Sequence, residues 1–387
     1  MTDRIVVACS AGVDPAGAVE QFGVDHEVVA LVVDVGGRSR EVDAVRGRAR
    51  AAGAVDAVVV DAKTEYAEQY VVAAVRANAG EPGRPLVPAL RLPLVADHLV
   101  RTARHFGAVA VAHVTIAPDD VALAATVAGF DPDLEVLPVP VTVVPTVGAE
   151  QDLWGRLVTE PDLDDPWALV DPSDWSRTRD AAGATTAAEA ATGAGAATAA
   201  GAATGAPDPD DVTVTFEHGV PVALDGQRFT VLRLLQELDA LAGRHGVGRH
   251  DLVDDLVDGR KVRRVAETPG ATALVAAHRD LERLTLERDV LRFKQGIDRE
   301  WTDLVHDGRW ASGLRRGLDA FIEQTQRHVS GDVRLRLHGG TAAVTGRRSG
   351  QSLYDFELAA THADDPVSLM TAWARPPRTA ARRDRAN

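Results

Sequence analysis

Five apolar runs in the first 140 residues, spaced at the length of a helix, restrict this chain more than any other feature of its sequence. They are Ile5-Val6-Val7-Ala8-Cys9 and residues 27–35, 55–60, 108–112 and 134–139. The runs are close to continuous rather than alternating, as strands buried on both faces of a parallel sheet require. Between them, residues 39–52, 65–77 and 93–106 carry apolar positions at helical spacing. This alternation predicts a doubly wound parallel α/β sheet, whose ligands sit beyond the carboxyl ends of the strands. Residues 10–16, 34–37 and 113–120 are therefore expected to face one crevice. In the first of these loops a Ser10-Ala11-Gly12 turn leads to Asp14-Pro15, a helix start in which Asp14 can cap free amides and Pro15 suits the first turn. A strand, a small-residue turn and a helix N-terminus make an anion site, although neither Walker-type nor dinucleotide glycine spacing is present.

The 387 residues give room for two or three domains with their own cores, and 45% hydrophobic with 26% charged residues is a globular balance. A formal charge of −15 argues against nucleic acid or an anionic membrane as partner. The single cysteine, Cys9, excludes an internal disulfide and fits a reducing compartment. No signal-peptide layout opens the chain and no apolar run is long enough to span a bilayer, so a cytoplasmic protein is expected.

Residues 181–206 are almost wholly Ala, Gly and Thr, a composition that builds no core and reads as a flexible surface insertion. Beyond it, residues 212–216 alternate like a strand that pairs with 220–224 through Glu217-His218-Gly219. Helical spacing runs over 229–245, with Gly246 and Gly248 as stops, and then over 269–284, 287–306 and 313–328. Residues 333–337 and 342–344 read as a further strand pair around His338-Gly339-Gly340, and the basic tail 375–387 as a frayed or neighbour-docking end. The second half is thus expected to be α+β with a C-terminal helical arm. The domain boundaries expected are 1–145 for the first domain, 146–180 for a connector, 181–210 for the insertion, 211–365 for the second domain and 366–387 for the C-terminal helix and tail.

Glu267-Thr268-Pro269-Gly270-Ala271-Thr272-Ala273-Leu274, residues 281–289, Arg292-Phe293-Lys294, Trp301-Thr302-Asp303-Leu304-Val305 and Ser352-Leu353-Tyr354-Asp355-Phe356 resemble argininosuccinate synthase. So do Val32-Val33-Asp34-Val35-Gly36, Val59-Val60-Asp61-Ala62, Leu153-Trp154-Gly155-Arg156 and residues 219–226. The resemblance runs from residue 4 to about 385, broken by the Ala/Gly/Thr insertion and by a deletion near residues 139–144. It implies an adenine nucleotide alpha hydrolase-like fold with a pyrophosphate (PP) loop, followed by a synthetase domain. The implied reaction is the ATP- and magnesium-dependent ligation of citrulline and aspartate through citrullyl-AMP, in arginine biosynthesis. The implied assembly is a homotetramer, or a hetero-oligomer with an intact paralogue. The residues it assigns to the nucleotide are Ser10, Gly12, Asp14 and Val35, and to the amino-acid substrates Thr115, Asp119 and Asp120.

The chain departs from that family where ligands bind. The family's loop reads Ser-Gly-Gly-x-Asp-(Thr/Ser)-Ser; here Ala11 replaces a glycine, and Pro15 and Ala16 replace both hydroxyl residues. A methyl group crowds the backbone approach, and Pro15 removes an N–H. The expected tyrosine, serine or threonine, and carboxylate-clamping arginine fall on Arg84, Pro88 and Leu92. Residues 113–120 replace a Thr-Gly-Lys-Gly-Asn-Asp turn, and Ala122 an arginine. Gly148 and Leu157 replace serines, and Arg264 and Ala266 a glutamate and a tyrosine. The expectation is a degenerate paralogue acting as scaffold or regulatory subunit. The alternative is a repurposed ATP-dependent C–N ligase for another small amino-acid-like substrate.

Other candidates weigh toward structure. His113, Asp119 and Asp120 would suit an oxygen–nitrogen metal site, but read better as caps and turn residues, so no metal is expected. His245 and His250-Asp251 flank a turn, Arg263-Arg264 reads as a solvated basic turn, and Cys9 as a small apolar packer. Trp301, Trp310, Phe321 and Trp373 are expected in the core or at a subunit interface.

Overall fold

The computed structural model describes residues 3–9, 15–36, 39–80, 84–114, 120–139, 151–158, 163, 165–178, 208–256 and 259–354. The first half follows the apolar runs. Strands β1 (Arg4–Cys9), β2 (Glu27–Asp34), β3 (Asp56–Asp61), β4 (Ala110–Val114) and β5 (Glu135–Leu137) form one parallel sheet in the order β3-β2-β1-β4-β5. Helices α1 (Ala16–Phe22) and α2 (Ser39–Ala51) bury Val19, Val45 and Ala49 against Ile5, Val7 and Cys9 on one face. After β3 the chain winds through the contiguous segments Lys63–Glu65, Tyr66–Val71 (π-wound) and Val72–Arg76, together α3. Helices α4 (Leu92–Phe106) and α5 (Asp120–Phe130) cover the other face, where Leu99, Val100 and Leu123 meet Val6, Ala8 and Leu31. Both faces are covered, so strands with no polar face are stable here. The chain order reverses between β1 and β4, which creates the crevice expected at their carboxyl ends.

In the second half, β6 (Arg156–Val158) precedes the hairpin β7 (Asp210–Glu217) and β8 (Val220–Leu224), followed by β9 (Gln227–Arg228). Helix α6 (Val231–Arg244) starts at Thr230, whose hydroxyl accepts from Arg233 N. It ends at a turn in which Gly246 and Gly248 take positive φ, the conformation that makes them stops. Strands β10 (Arg249–Asp255) and β11 (Lys261–Glu267) follow, then helices α7 (Pro269–Thr285), α8 (Arg288–His306) and α9 (Gly313–Gln326), and finally β12 (Gly331–His338) and β13 (Thr341–Arg348). Two antiparallel sheets result, β13-β12-β7-β8-β9 and β10-β11-β6. Helix α7 packs on the inner face of the larger one, where Leu274 and Leu281 join Val333, Leu335 and Leu337.

The β10-β11-β6 sheet corrects the sequence reading, which placed no strand there. Arg263 and Arg264 lie on β11 rather than in a solvated turn. Arg263 pairs with Asp251 across the strands at 2.6 Å, and Arg264 is buried against Asp254 at 3.3 Å. Trp301 is fully buried, edge-on to Trp310, which stacks on Tyr70, so these rings belong to the core. Phe321 meets the exposed Phe293 edge-on. The insertion at 181–206, the deletion site from residue 140, Trp373 and the basic tail lie outside the described residues.

One glycine couples the halves. Gly308, just past α8, has φ +69°, and a Cβ there would lie 2.0 Å from the Ala122 carbonyl oxygen of α5. Its own carbonyl accepts from Thr126 Oγ1 at 2.9 Å. Gly308→Ala is expected to cost about 1–3 kcal/mol through strain and displacement of α8 from α5, read as a lower thermal midpoint; an unchanged midpoint would contradict this contact.

Candidate functional site

A small crevice opens at the carboxyl ends of β1, β2 and β4. Cys9, Asp34 and Val35, and His113 reach it from the three strands, Arg91 from the turn before α4, and Gln151 from the segment before β6. The remaining lining is small and apolar: Ala8, Val33, Val42 and Val95. The crevice expected from the strand pattern is therefore present, and its described walls carry few polar groups.

Asp34 is already engaged. Its Oδ1 accepts from Gly36 N at 3.0 Å, and its Oδ2 lies 2.7 Å from Lys63 Nζ. Lys63 also reaches Asp61 at 2.8 Å. Partial burial works against the ammonium, but the two carboxylates outweigh it and hold Lys63 above its ordinary range. Val35 O accepts from Leu153 N at 2.9 Å, and Gly36 sits at φ +108° against Leu153, so the end of β2 is knitted to the 152–156 segment.

Behind this wall lies a cation that the sequence reading missed. Arg91 lines the crevice and is only 4% exposed. It stabilises the charged form of the fully buried Asp152 electrostatically, against a burial that pushes this carboxyl up. Asp152 Oδ1 accepts from Trp154 N (2.7 Å) and Gly155 N (3.0 Å). Tyr66, also fully buried, is driven well above its ordinary range by burial and by Asp152. Deeper still, Glu267 accepts from Arg156 Nη1 (2.6 Å), the backbone N–H groups of Ser176, Arg177 and Thr178, and the Thr178 hydroxyl (2.7 Å). The only local signal for Arg91 is an arginine inside an apolar stretch, Leu90-Arg91-Leu92.

Of the residues named from sequence, Val35 lines the crevice. Ser10, Gly12, Asp14, Thr115 and Asp119 lie outside the described residues, and Asp120 is the first residue of α5, with its side chain also outside them. Cys9 and His113 both border the crevice. Cys9 is in register with Val114 and packs with the α1–α2 cluster, whereas His113 is in register with Ala8.

The positions where the resemblance expects substrate groups carry structural roles. Leu92, at the clamp position, is 2% exposed and packs in the cluster under α4 with Val6 and Leu31. Arg84, at the tyrosine position, donates to Asp254 (2.8 Å) and Asp303 (2.9 Å). Arg264 closes that network from β11, Ala266 is fully buried, and Leu157 and Ala122 are core residues. Among the described residues no group of three or more His, Cys, Asp or Glu could hold a metal ion. No helix among them is long and apolar enough to cross a membrane.

Two family profiles match this chain. Residues 4–146 match the arginosuccinate synthase N-terminal HUP domain, and residues 169–372 match the arginosuccinate synthase C-terminal domain. Together with the parallel five-stranded sheet and the α+β second half, they establish that the chain belongs to the argininosuccinate synthase family.

Proposed function

We propose that this chain is a non-canonical member of its family that has kept the scaffold and exchanged substrate contacts for structural ones, and that it acts as a scaffold or regulatory subunit. The family reaction is the ATP-dependent joining of citrulline to aspartate. The observation that carries the reading is Leu92: the side chain at the carboxylate clamp is a buried core residue and offers no donor to a ligand. The Arg84–Asp254–Arg264 network supports it, because two further ligand positions are spent on packing β10 and β11 against α8. The described lining fits ATP poorly, since it holds no hydroxyl and its one carboxylate is tied to Lys63. The assembly in this reading is a homotetramer or a mixed oligomer with an intact paralogue in the cytoplasm.

A repurposed ligase is the second reading, favoured by the open crevice and by Arg91 and His113 on its wall. Nucleotide binding separates the two readings. With ATP, magnesium, citrulline and aspartate the purified chain is expected to release neither AMP nor pyrophosphate, and calorimetry at millimolar nucleotide is expected to show no binding. Loss of two hydroxyl bonds to a charged group, at about 1.5–3 kcal/mol each, lowers affinity by roughly two to four orders of magnitude. Turnover, or a dissociation constant in the low micromolar range, would overturn the scaffold reading. Light scattering that finds a monomer would remove the assembly.

A further inference from the structure

A second cluster of ionisable groups, sharing no residue with the crevice, lies where α3, α7, α8 and α9 meet. At its centre His278 of α7 is fully buried. Its Nδ1 lies 2.8 Å from Asn78 Oδ1, and its Nε2 lies 2.8 Å from Gln326 Oε1. Both amides are oriented by their other ends. Asn78 Nδ2 donates to Glu282 (2.7 Å) and Asp298 (2.9 Å), and Gln326 Nε2 donates to Glu282 (2.7 Å) and Thr325 Oγ1 (3.2 Å). Turning either amide round would set its oxygen against a carboxylate. Both ring nitrogens thus face acceptors, and only an imidazolium has two N–H groups to give them.

The neighbouring carboxyl shows the opposite pattern. Asp298 is met by Lys294 Nζ, at 2.7 and 3.0 Å, and by Asn78 Nδ2. Lys294 also reaches Glu282 at 3.0 Å and the Arg76 carbonyl at 2.7 Å. Among the described residues Asp298 therefore has donors around it and no acceptor for a carboxyl proton. Burial pushes Asp298 up to about 7, so a proton is retained by the cluster near neutrality. Bond direction assigns that proton to the ring, although burial first, then Lys294 and Arg76, take His278 down to about 4. The two carboxylates, one ammonium and one imidazolium of the enclosed group sum to zero, the arrangement a dry interior favours, while the half-buried Arg76 beside them faces Glu323.

We infer that Glu282, Asp298, Lys294 and a protonated His278 form a charge-balanced buried latch holding α7, α8 and α9 on the end of α3. The charged groups facing His278 are Glu282 on its own helix, Lys294 and Asp298 on α8, and Arg76 on α3. Gln326 and Thr325 on α9 and the Phe216 ring on β7 are neutral neighbours.

Nitrogen-15 NMR of the full-length chain labelled at histidine reads the protonation state directly. His278 is assigned by its contact to the Phe216 ring, and by loss of its signal in His278→Gln if that variant folds. The expected result near neutral pH is two ring nitrogens of nearly equal shift. In Asp298→Asn, which removes one negative charge, the pair is expected to split widely as the ring becomes neutral. A widely split pair in the unaltered protein, or nearly equal shifts that persist in Asp298→Asn, would overturn the inference.

Discussion

Lys294→Met is expected to remove about 3–5 kcal/mol of stability, a large part of what holds a typical domain together. Lys294 is fully buried and bonds Glu282, Asp298 and the Arg76 carbonyl. Methionine fills the space but leaves two carboxylates facing each other without the ammonium between them. Lys294 is also what keeps Glu282 below the usual carboxylate range in spite of its burial. The cost is therefore an uncompensated charge rather than a lost contact. Replacing both members of the α8 pair, Lys294→Met with Asp298→Leu, is expected to restore most of the loss, because the Glu282–His278 pair stays balanced. Urea unfolding followed by circular dichroism measures both variants; a single-variant loss under about 1 kcal/mol would mean that water reaches the cluster.

Glu267→Ala is expected to cost a similar amount, about 3–5 kcal/mol, and to free residues 174–178 from β11. One carboxylate there satisfies Arg156, three successive backbone N–H groups and the Thr178 hydroxyl. Alanine leaves the buried Thr178 amide and hydroxyl without an acceptor, and Arg156 without its charge partner. Burial works against the Glu267 charge, but the Thr178 hydroxyl, Arg156 and the Thr178 amide outweigh it and hold the group below its ordinary value. A depressed carboxylate contributes stability that is present above its unfolded pKa, about 4.3, and lost as pH falls through the folded value. The variant should therefore lose part of the acid sensitivity of the parent below that pH, as well as the stability itself. Unfolding midpoints at pH 7 and pH 4 test both effects, and an equal difference at the two would refute the assignment.

The legibility of the chain divides along physical lines. Strands β1 to β4 were readable because burial on both faces demands apolar runs, and such runs are local. The β7–β8 hairpin and helices α6 to α9 were readable for the same reason: period-two or helical spacing and glycine stops lie within one segment. Strands β10 and β11 were not. Asp251, Asp254, Asp255, Lys261, Arg263 and Arg264 put charges where a half-buried strand normally shows apolar residues. Asp251 and Asp255 find partners within the hairpin, in Arg263 and Lys261, but Asp254 is held by Arg84, 170 residues away. No local pattern announces a partner that distant.

The crevice divides the same way. Its location at the ends of β1, β2 and β4, with Val35 on the wall, followed from strand order alone. Its contents did not. That Leu92 turns into the core, that Arg91 lines the crevice and that Asp34 is held by Lys63 depend on how α3, α4 and the 152–156 segment pack. The sequence by itself determined the doubly wound sheet, the helical second half and the family, because each rests on short-range periodicity or on ordered motifs. Only the tertiary structure decided which charges are buried and paired, since a charge leaves water only where a partner from elsewhere in the chain meets it.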